Sequence, residues 1–262
     1  MKKLLLCVLA LLVIGGVAFG VRTIGARDET SEVAPKDAAS LATDGASSDD
    51  LTVGDRPEPG TYAYTGRGSE QVSALGGSEH RFPAKIAVVV QLDPDDDCAW
   101  KATVVYVKEH IEERRYCTQD GTVVDRGFIR KIEFFNQLQT VEYTCDDVAE
   151  RLRTTAASGD TWNWTCTQGT KARSDYTATA LGTETLTIGG EPVKTWHTRV
   201  VSKQSGDTNG GDTSEFWLAE SGLIVKYTAK LEVTTKSVLG DTTFNEDIAY
   251  TLDSLVPVID ER

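Results

Sequence analysis

Leu223-Ile224-Val225-Lys226-Tyr227-Thr228-Ala229-Lys230-Leu231-Glu232-Val233 decides the fold class. In an extended chain Leu223, Val225, Tyr227, Ala229, Leu231 and Val233 share one face. Lys226, Thr228, Lys230, Glu232 and the following Thr234 share the other. Alternation of apolar and polar residues with period two describes a strand with one dry face and one wet face. Ile248, Tyr250 and Leu252 repeat the pattern. Back to Tyr62 the texture is the same: Thr and Val abound, helical periodicity is nearly absent, and Gly, Asp and Asn clusters punctuate the chain. Asp120-Gly121 predicts a type I′ hairpin turn, and Asp207-Thr208-Asn209-Gly210-Gly211-Asp212 a second turn. One short helical stretch is expected around Asp146–Arg153, capped by Asp146 or Asp147. The fold class is mostly β, antiparallel, over residues 61–262.

An internal echo suggests how the strands are grouped. Gly68-Ser69-Glu70-Gln71-Val72-Ser73-Ala74-Leu75-Gly76-Gly77 compares with Gly182-Thr183-Glu184-Thr185-Leu186-Thr187-Ile188-Gly189-Gly190. Strand-like runs follow both, Phe82–Leu92 and Val193–Lys203, and then Trp-containing strands with Trp100 and Trp217. Two related β-meanders, about 61–170 and 171–262, fit this spacing; two unrelated hairpins fit it as well.

The beginning of the chain reads as an address. Met1-Lys2-Lys3 precedes eighteen uncharged residues, Leu4–Val21, and Ala18-Phe19-Gly20 offers small residues for a cut after Gly20. At about 1.5 Å per residue the same stretch just reaches across a roughly 30 Å hydrocarbon core. Residues 1–21 are therefore a signal peptide or an N-terminal transmembrane anchor, and both export the remainder of the chain. Cys7 lacks the small preceding residue of a lipidation site. Residues 22–60 contain no aromatic and are rich in Ala, Ser, Thr, Asp and Glu. They bury too little to offset ordering entropy and are expected to be a disordered acidic linker outside the fold.

The charge limits the partners. The 262 residues carry 27 Lys+Arg against 40 Asp+Glu, a net −13. After Thr61 there remain 21 bases and 31 acids, so the β region keeps −10. Nucleic-acid binding requires a concentrated basic surface, which this composition excludes.

Beyond the first segment Cys98, Cys117, Cys145 and Cys166 remain, an even number in an exported chain. Two disulfides are expected, and of the three connectivities Cys98–Cys117 with Cys145–Cys166 is topologically the least demanding. A zinc site would need closely spaced Cys pairs, which are missing. No metal or cofactor is expected.

Reactive constellations are equally scarce. Asp93-Pro94-Asp95-Asp96-Asp97 lacks the alternation and the glycine of a calcium loop, so a solvated turn pinned by Cys98 is expected. His80, His110 and His197 read as surface or strand histidines, and no Gly-x-Ser-x-Gly elbow accompanies them. Glu112-Glu113 and Asp146-Asp147 supply carboxylates as glycosidases require, but adjacent acids are ordinary in so acidic a chain. Asn163-Trp164-Thr165 has the form of a glycosylation sequon. Trp162 and Trp164 alternate beside Cys166 and share a face: core packing against the disulfide, or an open stacking platform.

Phe216-Trp217-Leu218-Ala219-Glu220-Ser221-Gly222-Leu223-Ile224-Val225-Lys226-Tyr227, a strand ending in Trp, a Gly-Leu turn and a long alternating strand, resembles the periplasmic lipoprotein carriers of the LolA/LppX/LprG type. The chain as a whole resembles exported actinobacterial β-proteins. The resemblance implies a curved sheet or half-barrel around an apolar cavity and assigns no functional residue. The function expected is an exported cell-envelope binding or interaction protein, holding an apolar or lipid ligand on a concave sheet. A structural or sensory ectodomain working through protein contacts is the alternative, and an exported hydrolase a third. No enzyme activity is expected, and the sequence names no partner, leaving lipid and another envelope protein as the open choices.

Overall fold

The computed structural model describes residues 33–42, 55–73, 78–134, 137–237 and 240–258. The segment expected at 1–21 lies outside them, as does most of the stretch read as linker. One helical turn, α1 (Pro35–Ala38), precedes fourteen strands. They are β1 (Gly60–Val72), β2 (Ser78–Arg81), β3 (Lys85–Leu92), β4 (Ala99–Val107), β5 (His110–Gln119), β6 (Thr122–Phe134) and β7 (Gln137–Cys145). The remaining strands are β8 (Glu150–Arg153), β9 (Thr161–Gln168), β10 (Ala172–Ile188), β11 (Glu191–Gly206), β12 (Thr208–Leu218), β13 (Ile224–Ser237) and β14 (Gly240–Leu252).

The antiparallel curved sheet is present, and its two ends meet. Strand order runs β1-β3-β4-β5-β6-β7-β9-β10-β11-β12-β13-β14, and β14 pairs back onto β1 from Tyr64↔Leu252 to Val72↔Phe244. Twelve strands thus close a barrel, while β2 extends β1 and β8 extends β6. Closure explains the period-two texture, because each strand has one face inside and one outside. Val225, Ala229 and Leu231 of β13 are buried as that alternation requires. Asp120 (φ 53°) and Gly121 (φ 71°) are both left-handed, as the type I′ turn joining β5 to β6 demands.

Three expectations change, the first being the second turn: only Asp207 of the Asp207–Asp212 cluster lies between strands, and Thr208–Asp212 belong to β12. Asp146–Arg153 is a turn followed by β8, not a helix: Thr122–Val124 of β6 offer a free edge, and Arg151 and Leu152 bury themselves against it. The stretch 22–60 is also not wholly outside the fold. Residues 33–42 lie on the outer wall, where Ala38 seals Ala87, Val89 and Val105, with Val33, Leu41, Ala42 and Ile111 around them. The near-continuous burial of β3 has this cover as its cause, since its outward residues are as apolar as its inward ones. Arg56, from the same stretch, donates to the carbonyls of Asp93, Asp96 and Ala99 at 2.9–3.2 Å. The echo falls on the distal halves of β1 and β10 and goes no further. Trp100 begins β4 facing the core, whereas Trp217 lies near the end of β12 and stacks on His197.

The ring has one sparse seam. Between β7 and β9 only Thr144↔Thr167 and Cys145↔Cys166 pair. Side chains supplement this ladder: Asp146 accepts from the Thr165 N–H at 3.0 Å, and the Trp162 indole donates to the Glu150 carbonyl. The Cys145–Cys166 disulfide joins the two strands directly, while Cys98–Cys117 bridges the start of β4 to β5, pairings that match the sequence reading.

Each disulfide stabilises by about 3 kcal/mol on the loop-entropy model. Replacing Cys145 and Cys166 by Ser is expected to raise amide exchange selectively around Thr144 and Thr165–Thr167. The Cys98/Cys117 pair of replacements should leave the long β4–β5 ladder protected; exchange mass spectrometry compares the two. Ala38→Asp places an unpaired charge in a sealed contact and should cost about 1–3 kcal/mol in urea unfolding.

Candidate functional site in the barrel interior

On β5 the even-numbered residues face inward and the odd-numbered ones outward. His110, Glu112 and Tyr116 are buried, and Arg114 lines the interior, whereas Arg115 meets Glu142 outside at 2.9 Å. Opposite them β6 contributes Asp125 and Arg130, and β8 contributes Arg151. These side chains form an alternating ladder, Arg130–Glu112–Arg114–Asp125–Arg151. Arg130 Nη2 lies 2.7 Å from Glu112, Arg114 Nε 2.5 Å from Glu112 and Nη1 3.4 Å from Asp125. Arg151 Nη2 reaches Asp125 at 2.5 Å. Arg114 and Arg151 also stack on Phe128 and Phe216 at 4.9 and 4.7 Å. Burial acts to raise the Glu112 carboxyl, but Arg114 and Arg130 outweigh it and hold it well below the usual carboxylate range.

Beside the ladder lies a second polar group. His110 is sealed in the core with its Nδ1 2.8 Å from Glu70 Oε2, and its Nε2 3.9 Å from Glu246 Oε2. Burial would raise the Glu70 carboxyl; hydrogen bonds to His110 and His80 hold it instead at about 2. Burial raises Glu246 against the pull of Arg130 and His110, and the carboxylates Glu112 and Glu70 add to the rise.

Above the ladder is an apolar chamber walled by Tyr64, Ile86, Val88, Trp100, Tyr106, Phe216, Tyr227 and Tyr250, with Glu112 and Arg114 at its base. Its upper side is closed by the β12–β13 turn. There Gly222 (φ 92°) packs so tightly that a Cβ would lie 2.8 Å from Val123 and 3.1 Å from Trp100. The chamber holds about 50 Å³, well below the roughly 150 Å³ that accommodates a benzene ring. A second groove, among Ser69, Gln71, Thr213, Lys230 and Asp247 and reaching the buried Ser202, Leu231 and Glu246, is larger but open to solvent.

Of the residues singled out in the sequence, the four cysteines are paired, and Asp93–Asp97 is a solvent-facing turn in which Asp96 meets Arg126 at 2.7 Å. Trp162 and Trp164 face the core, Trp164 stacked on Tyr176 at 5.1 Å beside buried Cys166. Asn163, between them, faces outward and accepts from Thr177. His197 lies on the outer wall, stacked on Trp217 at 3.9 Å, between Glu184 at 2.8 Å and Glu215 at 3.0 Å. His110 is a strand histidine, as expected, but one buried at the centre of a charged cluster. The ladder and this cluster were not assigned from sequence. The signal for them is parity, since His110, Glu112 and Arg114 share the face of Tyr116 and Trp-bearing neighbours.

The Glu112 carboxyl is lowered relative to 4.5, so its contribution is complete above that pH and is lost as pH falls through the depressed value. Glu112→Gln leaves two guanidinium groups underpaired and should cost about 3–5 kcal/mol at pH 7. The difference from the unmodified protein should narrow steadily below pH 4.5, as read from urea midpoints at pH 7 and pH 3.

No protein-family model matches the chain, and no curated protein does. Among solved structures the chain is similar to the hypothetical lipoprotein YmcC from Escherichia coli, at 15% identity over 86% of this chain and 100% of that one, with a TM-score of 0.32.

Proposed function

We propose that this chain is an exported cell-envelope interaction module that binds a partner protein by strand addition along the open edge of β7. The two disulfides are consistent with an exported, oxidising setting. The observation that carries the reading is the edge itself. The Asp146 N–H points across the seam to the Thr165 carbonyl, so the backbone groups of Leu138, Thr140 and Glu142, two residues apart, point the same way. Among the described residues no strand pairs with β7 there. Edges are usually blunted by charge, proline or a bulge. Gln137-Leu138-Gln139-Thr140-Val141 has none of the three, and Leu138 is 63% exposed. An uncharged stretch of strand with a free edge is what an incoming extended peptide requires.

A second reading, carriage of a small apolar ligand, draws on the chamber above Arg114. At about 50 Å³ it has no room for an acyl chain unless side chains move, which places strand addition first. Neither reading gives the chain a reaction of its own.

Thr140→Pro is the decisive variant. It removes an N–H from the open side and leaves the β6–β7 ladder its bonds, as edge prolines do. With a photo-crosslinking residue at position 138 in the native envelope, one discrete adduct is expected, and Thr140→Pro or Thr140→Lys should abolish it with unfolding unchanged. An adduct of equal yield in both variants overturns the edge reading. Native mass spectrometry of the purified protein is expected to find no retained lipid.

A further inference from the structure

We propose that His110 and Glu246, with Glu70 oriented behind them, form a site for one divalent transition-metal ion of the zinc class inside the barrel. Glu70 and Glu246 are register partners on β1 and β14, and both are buried. Like charges directly opposite on adjacent strands repel, and burial removes the water that would screen them. The ladder has three guanidinium groups against two carboxylates; with Glu70 and Glu246 these seven groups comprise four carboxylates against three cations. A positive charge is missing at this point.

The gap has the dimensions of an ion. His110 Nε2 and Glu246 Oε2 face each other at 3.9 Å, are buried, and have no hydrogen-bond partner. That span is too long for a hydrogen bond. Two bonds of about 2.0–2.1 Å reach across it, and the tetrahedral separation of such ligands, about 3.3 Å, is met when the pair draws together by about half an ångström around the ion. The imidazole is already set for the role. Glu70 holds Nδ1 at 2.8 Å, which directs the Nε2 lone pair at the gap in the carboxylate–histidine–metal arrangement. Phe82 and Tyr106 wall the ring at 5.6 and 5.0 Å. Ligand atoms of the three residues lie within 4.8 Å of one another, so Glu70 can also join the ion directly. Imidazole with carboxylate oxygen favours zinc-like ions over calcium or magnesium. Access is short: His80, half-exposed, lies 3.5 Å from Glu70.

The test uses the full oxidised protein, stripped with chelator and titrated with Zn²⁺ alone. One tightly bound equivalent by native mass spectrometry and a rise in Tm are expected. Glu246→Gln should lose both, yet its metal-free Tm should equal or exceed that of the unmodified protein, because a repulsive pair has gone; a damaged fold would lower it. Glu70→Gln should weaken zinc about 10- to 100-fold. His197→Gln, which removes the exterior histidine flanked by carboxylates, should leave the response intact. Failure to bind one equivalent, or an undiminished response in Glu246→Gln, overturns the site and leaves a proton as the missing charge.

Discussion

Closure of the ring is the constraint on which the rest of the molecule depends. A barrel has no free edges only if every seam is paired, and here the seam between β7 and β9 has two residues of ladder. The Cys145–Cys166 bond ties this short ladder together, and beyond it the Asp146 carboxylate accepts from Thr165 while the Trp162 indole donates to Glu150 of β8. The sparse seam is also what leaves the distal half of β7 without a neighbour. The sparse ladder and the open edge of β7 are one feature.

The interior follows from closure as well. A ring of twelve strands encloses more space than apolar side chains fill, and this chain lines part of it with ions. Arg130, Glu112, Arg114, Asp125 and Arg151 alternate in sign so that each buried charge touches an opposite one. Such a ladder adds less stability than an apolar filling of the same shape, but it penalises any strand register that would break the alternation. Tyr116, its hydroxyl raised to about 12 by burial, belongs to the same layer.

Much of the fold was legible in the chain. The alternation at Leu223–Val233, the Asp120-Gly121 turn and the cysteine pairing are local or nearly local signals, and each survives in the structure. Closure was not legible, because pairing Tyr64 with Leu252 depends on the sum of strand twist and tilt around the whole ring. The cover provided by residues 33–42 was hidden for another reason: Val33, Ala38 and Leu41 are too few to mark a core segment, and they matter only because β3 is apolar on both faces. The interior ions were visible as parity on β5, yet a charge on the face of Tyr116 has meaning only when the facing strand is known to bring the opposite one.

The pairing of β1 with β14 has a consequence for the order of events during folding. The partners in this seam stand at opposite ends of the β region, so the loop to be closed is nearly the entire domain. Neighbouring hairpins such as β10–β11 can zip as soon as they emerge, but β1 keeps one bare flank until β14 arrives. Contacts of such sequence separation form slowly. A chain built this way cannot finish before its last strand is delivered, however early its central hairpins have formed.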